Sequence, residues 1–330
     1  MTHPPRDLSV DMTLRKHVLN QDCDHAAFFY YSETEYVDSL VQFIREGFER
    51  LQPVLLAVPK DKLESLRDAL GDAAASVTTA DITELGRNPG RLLAEELAFV
   101  DRHPGQHVRI VAEPAWVGRT DSEYLACMQH EALVSLAFVD TEMTGLCPYD
   151  ASRLDESVLT KVRLTHSQIW MGGSLTQCPD YAVDAALNHC NQPLETHPAA
   201  VTNTVEHPSG LAGARRCGER YGRLLGLSAG RMADLLLIAT ELATNSLAHA
   251  GGACRMAFWY EDGHVVCEAR DMGHWADPLA GRRPPVVGSS GAYGLYVVNA
   301  IADLLRTHTT SAGTTVQAYL RLDDPSEAAS

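Results

Sequence analysis

The 330-residue sequence predicts two halves of different grammar, an α/β unit followed by an α+β unit. Residues 25–170 alternate short apolar runs with stretches at helical spacing, the pattern of a mostly parallel sheet with helices between its strands. Residues 171–203 are rich in Gly, Pro and Asn and read as a linker with a short helix near 181–189. Beyond 204 the chain reads as helices laid on an antiparallel sheet.

In the first half, "AAFFYY" (26–31) predicts a buried strand and "ETEYVDSLVQFIREGFERL" (33–51) an amphipathic helix. "PVLLAVP" (53–59) is a second strand, "KDKLESLRDAL" a helix, "ASVTTAD" a weaker strand, and 90–102 a helix. "HVRIVAEP" (107–114) is a strand, 121–137 a helix, "GLCPYD" (145–150) a last strand, and a helix over 154–170 closes the unit. In the second half, "GLAGARRCGERYGRLLG" (210–226) predicts a helix ending at glycine. Ser228 caps the next, 228–250, which stops at Gly251 and Gly252. "ACRMAFWYEDGHVVCEARD" is two alternating strands about an Asp-Gly turn. A loop of about 20 residues, a helix over 293–305 and a strand over 314–322 complete it.

The composition, 45% hydrophobic and 21% charged, is that of a globular chain. A net charge of −16 argues against nucleic acid or an anionic membrane as partner. It suits a basic protein partner, or solubility alone. The eight cysteines form no C-x-x-C pair, so neither a zinc ribbon nor a dense disulfide scaffold is indicated. "MTHPPRDLSVDM" lacks the apolar core of a signal peptide, and no run of about 18 apolar residues occurs. A cytoplasmic location with reduced thiols is the expectation.

Four short stretches carry chemistry. In "ELATNSLAHA" (241–250), Glu241, Asn245 and His249 are spaced i, i+4, i+8 and share one helical face. Asn is a poor helix former at such a position. "ARDMG" puts Asp271 at a strand end, two residues before Gly273, where an acid can accept from an adenine amino group and a glycine can turn beside the ring. "GSSGAYGL" spaces Gly288, Gly291 and Gly294 before Leu295 and a helix, an arrangement that can offer N–H groups to phosphate. It lacks the G-K-[ST] of a Walker A loop. "SAGTTVQAYL" sets Gly313 and Thr314 at the entrance to the last strand. Singly each has a bland reading: a turn, a connector, a helix Asn bonded elsewhere, a C-terminal His cap.

In order and spacing, "ELATNSLAHA", "DMG", "GSSGAYGLYVVNAIAD" and "GTTVQAYL" resemble the N, G1, G2 and G3 boxes of the GHKL ATPases, in the variety of the RsbW-type anti-sigma factor serine kinases. The resemblance covers roughly 205–322 and implies a Bergerat-type α/β sandwich that binds ATP. It implies Mg²⁺ on Asn245, Glu241 as general base toward a Ser or Thr hydroxyl, and a nucleotide site that includes His249, Asp271, Gly273, Gly288, Gly291, Gly294, Leu295 and Thr314. His249 has a supporting role only. One amide oxygen beside the phosphates suits Mg²⁺, which keeps most of its waters, and a carboxylate one turn away can take the hydroxyl proton. Residues 274–290 become the lid, with Arg282 and Arg283 either meeting phosphate or partner or forming a solvated pair.

The first half, through "HAAFFYYSETEYVDSLVQFIREGFERLQPVLLAVP" and "GLCPYDASRLDESVLTKVRLTHSQIW", resembles the MEDS (DcmR-type sensory) domain, a relative of RecA-like folds. The matching marks are His25, Tyr30, Gly47, Cys147, Tyr149, Asp150 and His166. No phosphate-loop lysine motif is present, so a sensory or protein-binding module is expected. For His25 and His166, satisfied structural histidines are the simpler expectation than signal sensing, and for Cys147 an inert buried thiol.

The expected organisation is a sensory domain over 1–170, a linker over 171–203, a GHKL kinase domain over 204–324 and a disordered tail over 325–330. The resemblance implies a homodimeric anti-sigma factor that sequesters an alternative sigma factor and phosphorylates a STAS-type anti-anti-sigma protein, without direct contact to nucleic acid or membrane. The alternatives are an ATP-binding partner-switching module that transfers no phosphate, and a sensor histidine kinase with His166 as phosphoacceptor.

Overall fold

The structure, a computed structural model, describes residues 23–250, 252–284 and 293–322. The expected tail, Gly251, Gly288 and Gly291 lie outside the described residues.

The first unit runs β1 (Cys23–Tyr30), α1 (Glu33–Glu49), β2 (Val54–Val58), α2 (Lys60–Leu70), β3 (Thr78–Asp81), α3 (Ile82–Leu85), α4 (Pro89–Asp101), β4 (Val108–Ala112), α5 (Asp121–Ala137), β5 (Met143–Asp150), α6 (Glu156–Thr165), β6 (Gln168–Met171) and β7 (Ser174–Gln177). The sheet order is β3-β2-β4-β5-β1-β6-β7, parallel except where β7 folds back on β6. Alternation along β2 shows why the strands read as continuous apolar runs. Val54, Leu56 and Val58 pack with α1 and α2 on one face, while Leu55 and Ala57 pack with α3, α4 and α5 on the other. Local signals start the helices: the Ser32 hydroxyl accepts from Glu35 N–H, and Thr120 and Glu123 form a reciprocal capping box.

Two expectations fail here. The helix expected over 154–170 stops at Thr165, His166 is extended, and Gln168–Met171 instead pair with β1. Sheet pairing overrides helical spacing, because β1 would otherwise present an open edge. The presumed linker is also largely structured: it supplies β7, a helix α7 (Val183–Cys190) packed on α5, and a strand β8 (Val201–Val205).

The second unit adds α8 (Leu211–Leu224), α9 (Ala229–His249), β9 (Cys254–Glu261), β10 (His264–Asp271), α10 (Tyr293–Ile301), β11 (Leu304–Thr310) and β12 (Gly313–Arg321). Its antiparallel sheet has the order β11-β12-β10-β9-β8. Asp262 and Gly263, at φ 44° and 78°, make the tight turn between β9 and β10. Helices α8, α9 and α10 cover one face through Leu235, Ile238, Leu242, Phe258, Val298 and Leu320. The helix expected over 293–305 ends at Ile301, and 304–310 form β11, not foreseen from the sequence. Leu304 and Leu305 continue the apolar spacing of the helix, but the Thr-rich run behind them favours a strand. No helix among the described residues is long and apolar enough to cross a membrane.

The two units are packed on each other. Arg91 on α4 donates to the carbonyls of Asn299, Ile301 and Ala302, at 3.2, 2.9 and 2.7 Å, and so caps the end of α10. Arg306 on β11 donates to Ser122 O at 2.7 Å, and Asn191 exchanges two hydrogen bonds with Thr309. Leu279, from the loop after β10, is 5% exposed and joins the cluster of Leu92, Leu93, Leu133 and Val134 in the first unit.

Candidate functional site

Helix α9 buries one stripe (Leu235, Ile238, Ala239, Leu242, Ala243) against the second sheet, which leaves Glu241 and Asn245 half-buried at its flank and His249 exposed in its last turn. Gly294, in the first turn of α10, lies directly against them. A Cβ there would meet Glu241 Oε2 at 2.6 Å and both terminal atoms of Asn245 at 3.0 Å, so any side chain here would displace those two groups. Asn245 Nδ2 is buried without a hydrogen-bond partner. Which terminal atom is oxygen follows from partners, and here none fixes it; an orphaned amide of this kind costs about 1–3 kcal/mol unless a ligand satisfies it.

Asp271 ends β10 in register with Thr314 of β12. Its Oδ1 accepts from Gly273 N–H at 2.8 Å, and Thr314 Oγ1 donates to Gly273 O at 2.8 Å, which pins the turn from both sides. Gly273 does not adopt the left-handed backbone that a turn beside a ring would need. It is required by close approach, since a Cβ would meet Ala250 Cβ at 2.9 Å. Asn245, His249, Asp271, Gly273, Leu295 and Thr314 thus border one cleft, with Trp275 beside them. Its floor has about 20 Å³ of room, enough for a single water. Gly281, at φ 71°, presses on the backbone of Leu295 and lays the 274–284 loop over the start of α10. The donor set fits a magnesium nucleotide: the Gly294 cradle, the orphaned Asn245 amide, and a helix N-terminus at Gly294.

Arg282, expected at phosphate or a partner or in a solvated pair, is instead buried against the first unit. It is 6% exposed, donates to Gln129 Oε1 on α5 at 2.9 Å, and burial pushes its guanidinium down to about 10. Arg283 is exposed. The residues that sequence reasoning missed are Asn88, Arg91, Gln129 and Asn299, whose partners are more than 150 positions away in the chain.

A second polar cluster lies inside the first unit. His25 (β1), Glu131 (α5), Cys147 (β5) and His166, just past α6, are all buried, with ligand atoms within 4.8 Å of one another. The histidines are satisfied in part: His25 Nε2 meets Glu131 and Cys147, and His166 Nδ1 meets Val162 O, while His25 Nδ1 and His166 Nε2 make no hydrogen bond of good geometry. Burial, and the His166 charge, push His25 down to about 4, against the pull of Glu131. The two histidines hold Glu131 well below the usual carboxylate range despite its burial. Glu131 went unnoticed in the sequence, although "CMQHEALVSLA" signals it as an acid inside an apolar helix.

Residues 24–167 match the MEDS family, the methanogen/methylotroph DcmR sensory domain, and residues 203–320 match the histidine kinase-like ATPase domain family. The architecture is therefore a MEDS-like sensory unit followed by a GHKL-like ATPase unit. Among solved structures, the chain is similar to the RsbU and RsbW domains of Rv1364c from Mycobacterium tuberculosis, at 18% identity and a TM-score of 0.30, over 38% of this chain. The match spans about a third of that chain, 33%. No curated protein matches.

Proposed function

We propose that this protein is a cytoplasmic partner-switching regulator. Its second unit binds Mg-ATP, sequesters an alternative sigma factor and phosphorylates a STAS-type anti-anti-sigma protein on Ser or Thr, as a homodimer. The observation that carries the reading is Gly294 seated against Glu241 and Asn245, which brings a helix N-terminus, an acid and an amide to one point. Mg-ATP supplies the transferable phosphoryl group when bound. Asn245 holds the metal, Asp271 and Thr314 select the base, and Glu241 accepts the hydroxyl proton as the oxygen attacks. The sensory unit governs the site through α10, whose start borders the cleft and whose end it holds through Asn88 and Arg91.

The test is incubation with Mg-[γ-³²P]ATP and a co-encoded STAS protein. Phosphoserine or phosphothreonine appears with wild type and not with Glu241→Ala, which still binds ATP. Transfer by Glu241→Ala at the wild-type rate rejects the base; nucleotide binding without transfer by wild type leaves a binding-only switch. The histidine kinase alternative is disfavoured because His166 is 0% exposed and packed against His25, out of reach of a phosphate donor.

A further inference from the structure

Three groups converge on one oxygen in the sensory unit. His25 Nε2 is 3.1 Å, Cys147 Sγ 3.4 Å and His166 Nε2 3.4 Å from Glu131 Oε2, and His25 Nε2 is 3.4 Å from Cys147 Sγ. Glu131 Oε2 is approached by three groups at once, and His166 Nε2, 3.4 Å from it, makes no well-aligned hydrogen bond there. A tetrahedral zinc ion with bonds of about 2.0–2.3 Å sets its ligands about 3.3–3.7 Å apart. The quoted separations, 3.1–3.4 Å, sit at or just below those edges, and all four ligand atoms lie within 4.8 Å of one another, so small side-chain adjustments would close the set on an ion.

The surrounding groups orient the donors as metal sites require. His166 Nδ1 lies 2.9 Å from Val162 O, the spacing of an N–H donating to a carbonyl, so that loss of the Nε2 proton on metal binding would leave a lone pair facing the cluster. Tyr149 donates its hydroxyl to Glu131 Oε1 at 2.7 Å and leaves Oε2 for an ion. A cavity of about 290 Å³, bordered by Glu131, Tyr149, Thr165 and Cys127, lies against one side of the cluster. The four ligands come from β1, α5, β5 and the turn after α6, so an ion would tie the sheet to two of its helices.

We infer that the sensory unit holds one borderline-soft divalent ion of the zinc class, bound by His25 Nε2, Glu131 Oε2, Cys147 Sγ and His166 Nε2. A mixed imidazole, thiolate and carboxylate set selects zinc or cobalt over magnesium and calcium. Binding releases the Cys147 thiol proton to solvent, because only the thiolate ligates.

Cobalt substitution of the full chain tests it. The metal-stripped protein takes up one Co²⁺ and shows a thiolate-to-cobalt charge-transfer band with the strong visible absorption of a tetrahedral site. X-ray absorption of that sample shows one sulfur at about 2.3 Å and nitrogen or oxygen at about 2.0–2.1 Å. Cys147→Ser abolishes the charge-transfer band, His166→Gln weakens Co²⁺ at least about tenfold, and Cys178→Ser, a buried cysteine outside the cluster, changes neither. A folded wild type that takes up no Co²⁺ overturns the site, as does a first shell without sulfur or loss of the band in Cys178→Ser alone. If Cys147→Ser does not fold, the wild-type absorption shell decides.

Discussion

Asn88, the N-cap of α4, donates its side-chain amide to the backbone carbonyl of Asn299 in α10, 2.9 Å away and 211 positions along the chain. Asn299 in turn donates to Gly281 O at 2.9 Å in the loop that lies over Leu295. One helix therefore borders the cleft at its first turn and is held by the first unit at its last.

Removing that grip has a measurable consequence. Asn88→Ala combined with Arg91→Ala strips the carbonyls of Asn299, Ile301 and Ala302 of their donors. The expected loss is about 1–3 kcal/mol per buried group left unpaired. Urea unfolding reads the total, and hydrogen exchange shows faster exchange in α10 before any change in β1 or β5.

Leu279 ties the loop base to the core of the first unit. Leu279→Ala opens a cavity and is expected to lower stability by about 2–5 kcal/mol. Protection is lost first over 274–284, and unchanged protection there would show that the loop is held by other contacts.

Gly294→Ala exchanges a helix-weakening residue for the best helix former, yet the prediction is harm. The methyl group overlaps Glu241 Oε2 and the Asn245 amide, for an overpacking penalty of about 1–3 kcal/mol. Nucleotide titration is expected to show weaker binding than wild type, with far-UV circular dichroism unchanged.

His130 is fully buried with neither ring nitrogen bonded, 3.6 Å from Glu96, and burial pushes it down to about 4. The ordinary unfolded value is about 6.5, so the unfolded chain binds the extra proton between these limits. The stability from keeping His130 neutral is complete above pH 6.5 and is lost as pH falls toward 4, by up to about 1.4 kcal/mol per pH unit. The raised carboxyl of Glu96 works in the opposite direction. Denaturation midpoints of His130→Leu across this range should therefore fall less steeply with acid than those of wild type, and an identical slope would reject the assignment.

The order of strands and helices in both units was legible wherever spacing was regular, and where a cap agreed with it, as at Ser228. The stripe of Glu241, Asn245 and His249 was legible because a helix reads locally. What failed needed partners distant in sequence. β6 forms because β1 offers an edge, and β11 forms against β12 although Leu304 and Leu305 extend a helical pattern. Arg282 reads as a lid cation until Gln129, 153 positions away, claims it. Glu131 has no meaning until β1, β5 and the turn after α6 bring His25, Cys147 and His166 to it.

The central claim, a magnesium nucleotide held at the meeting of α9 and α10, is tested most directly by isothermal titration of the full chain with ATP, with and without Mg²⁺. The account predicts one nucleotide per chain, with affinity that depends on Mg²⁺ and falls at least about tenfold, or about 1.4 kcal/mol, in Asn245→Ala. No binding by the folded wild type, or equal binding by folded Asn245→Ala, would contradict it.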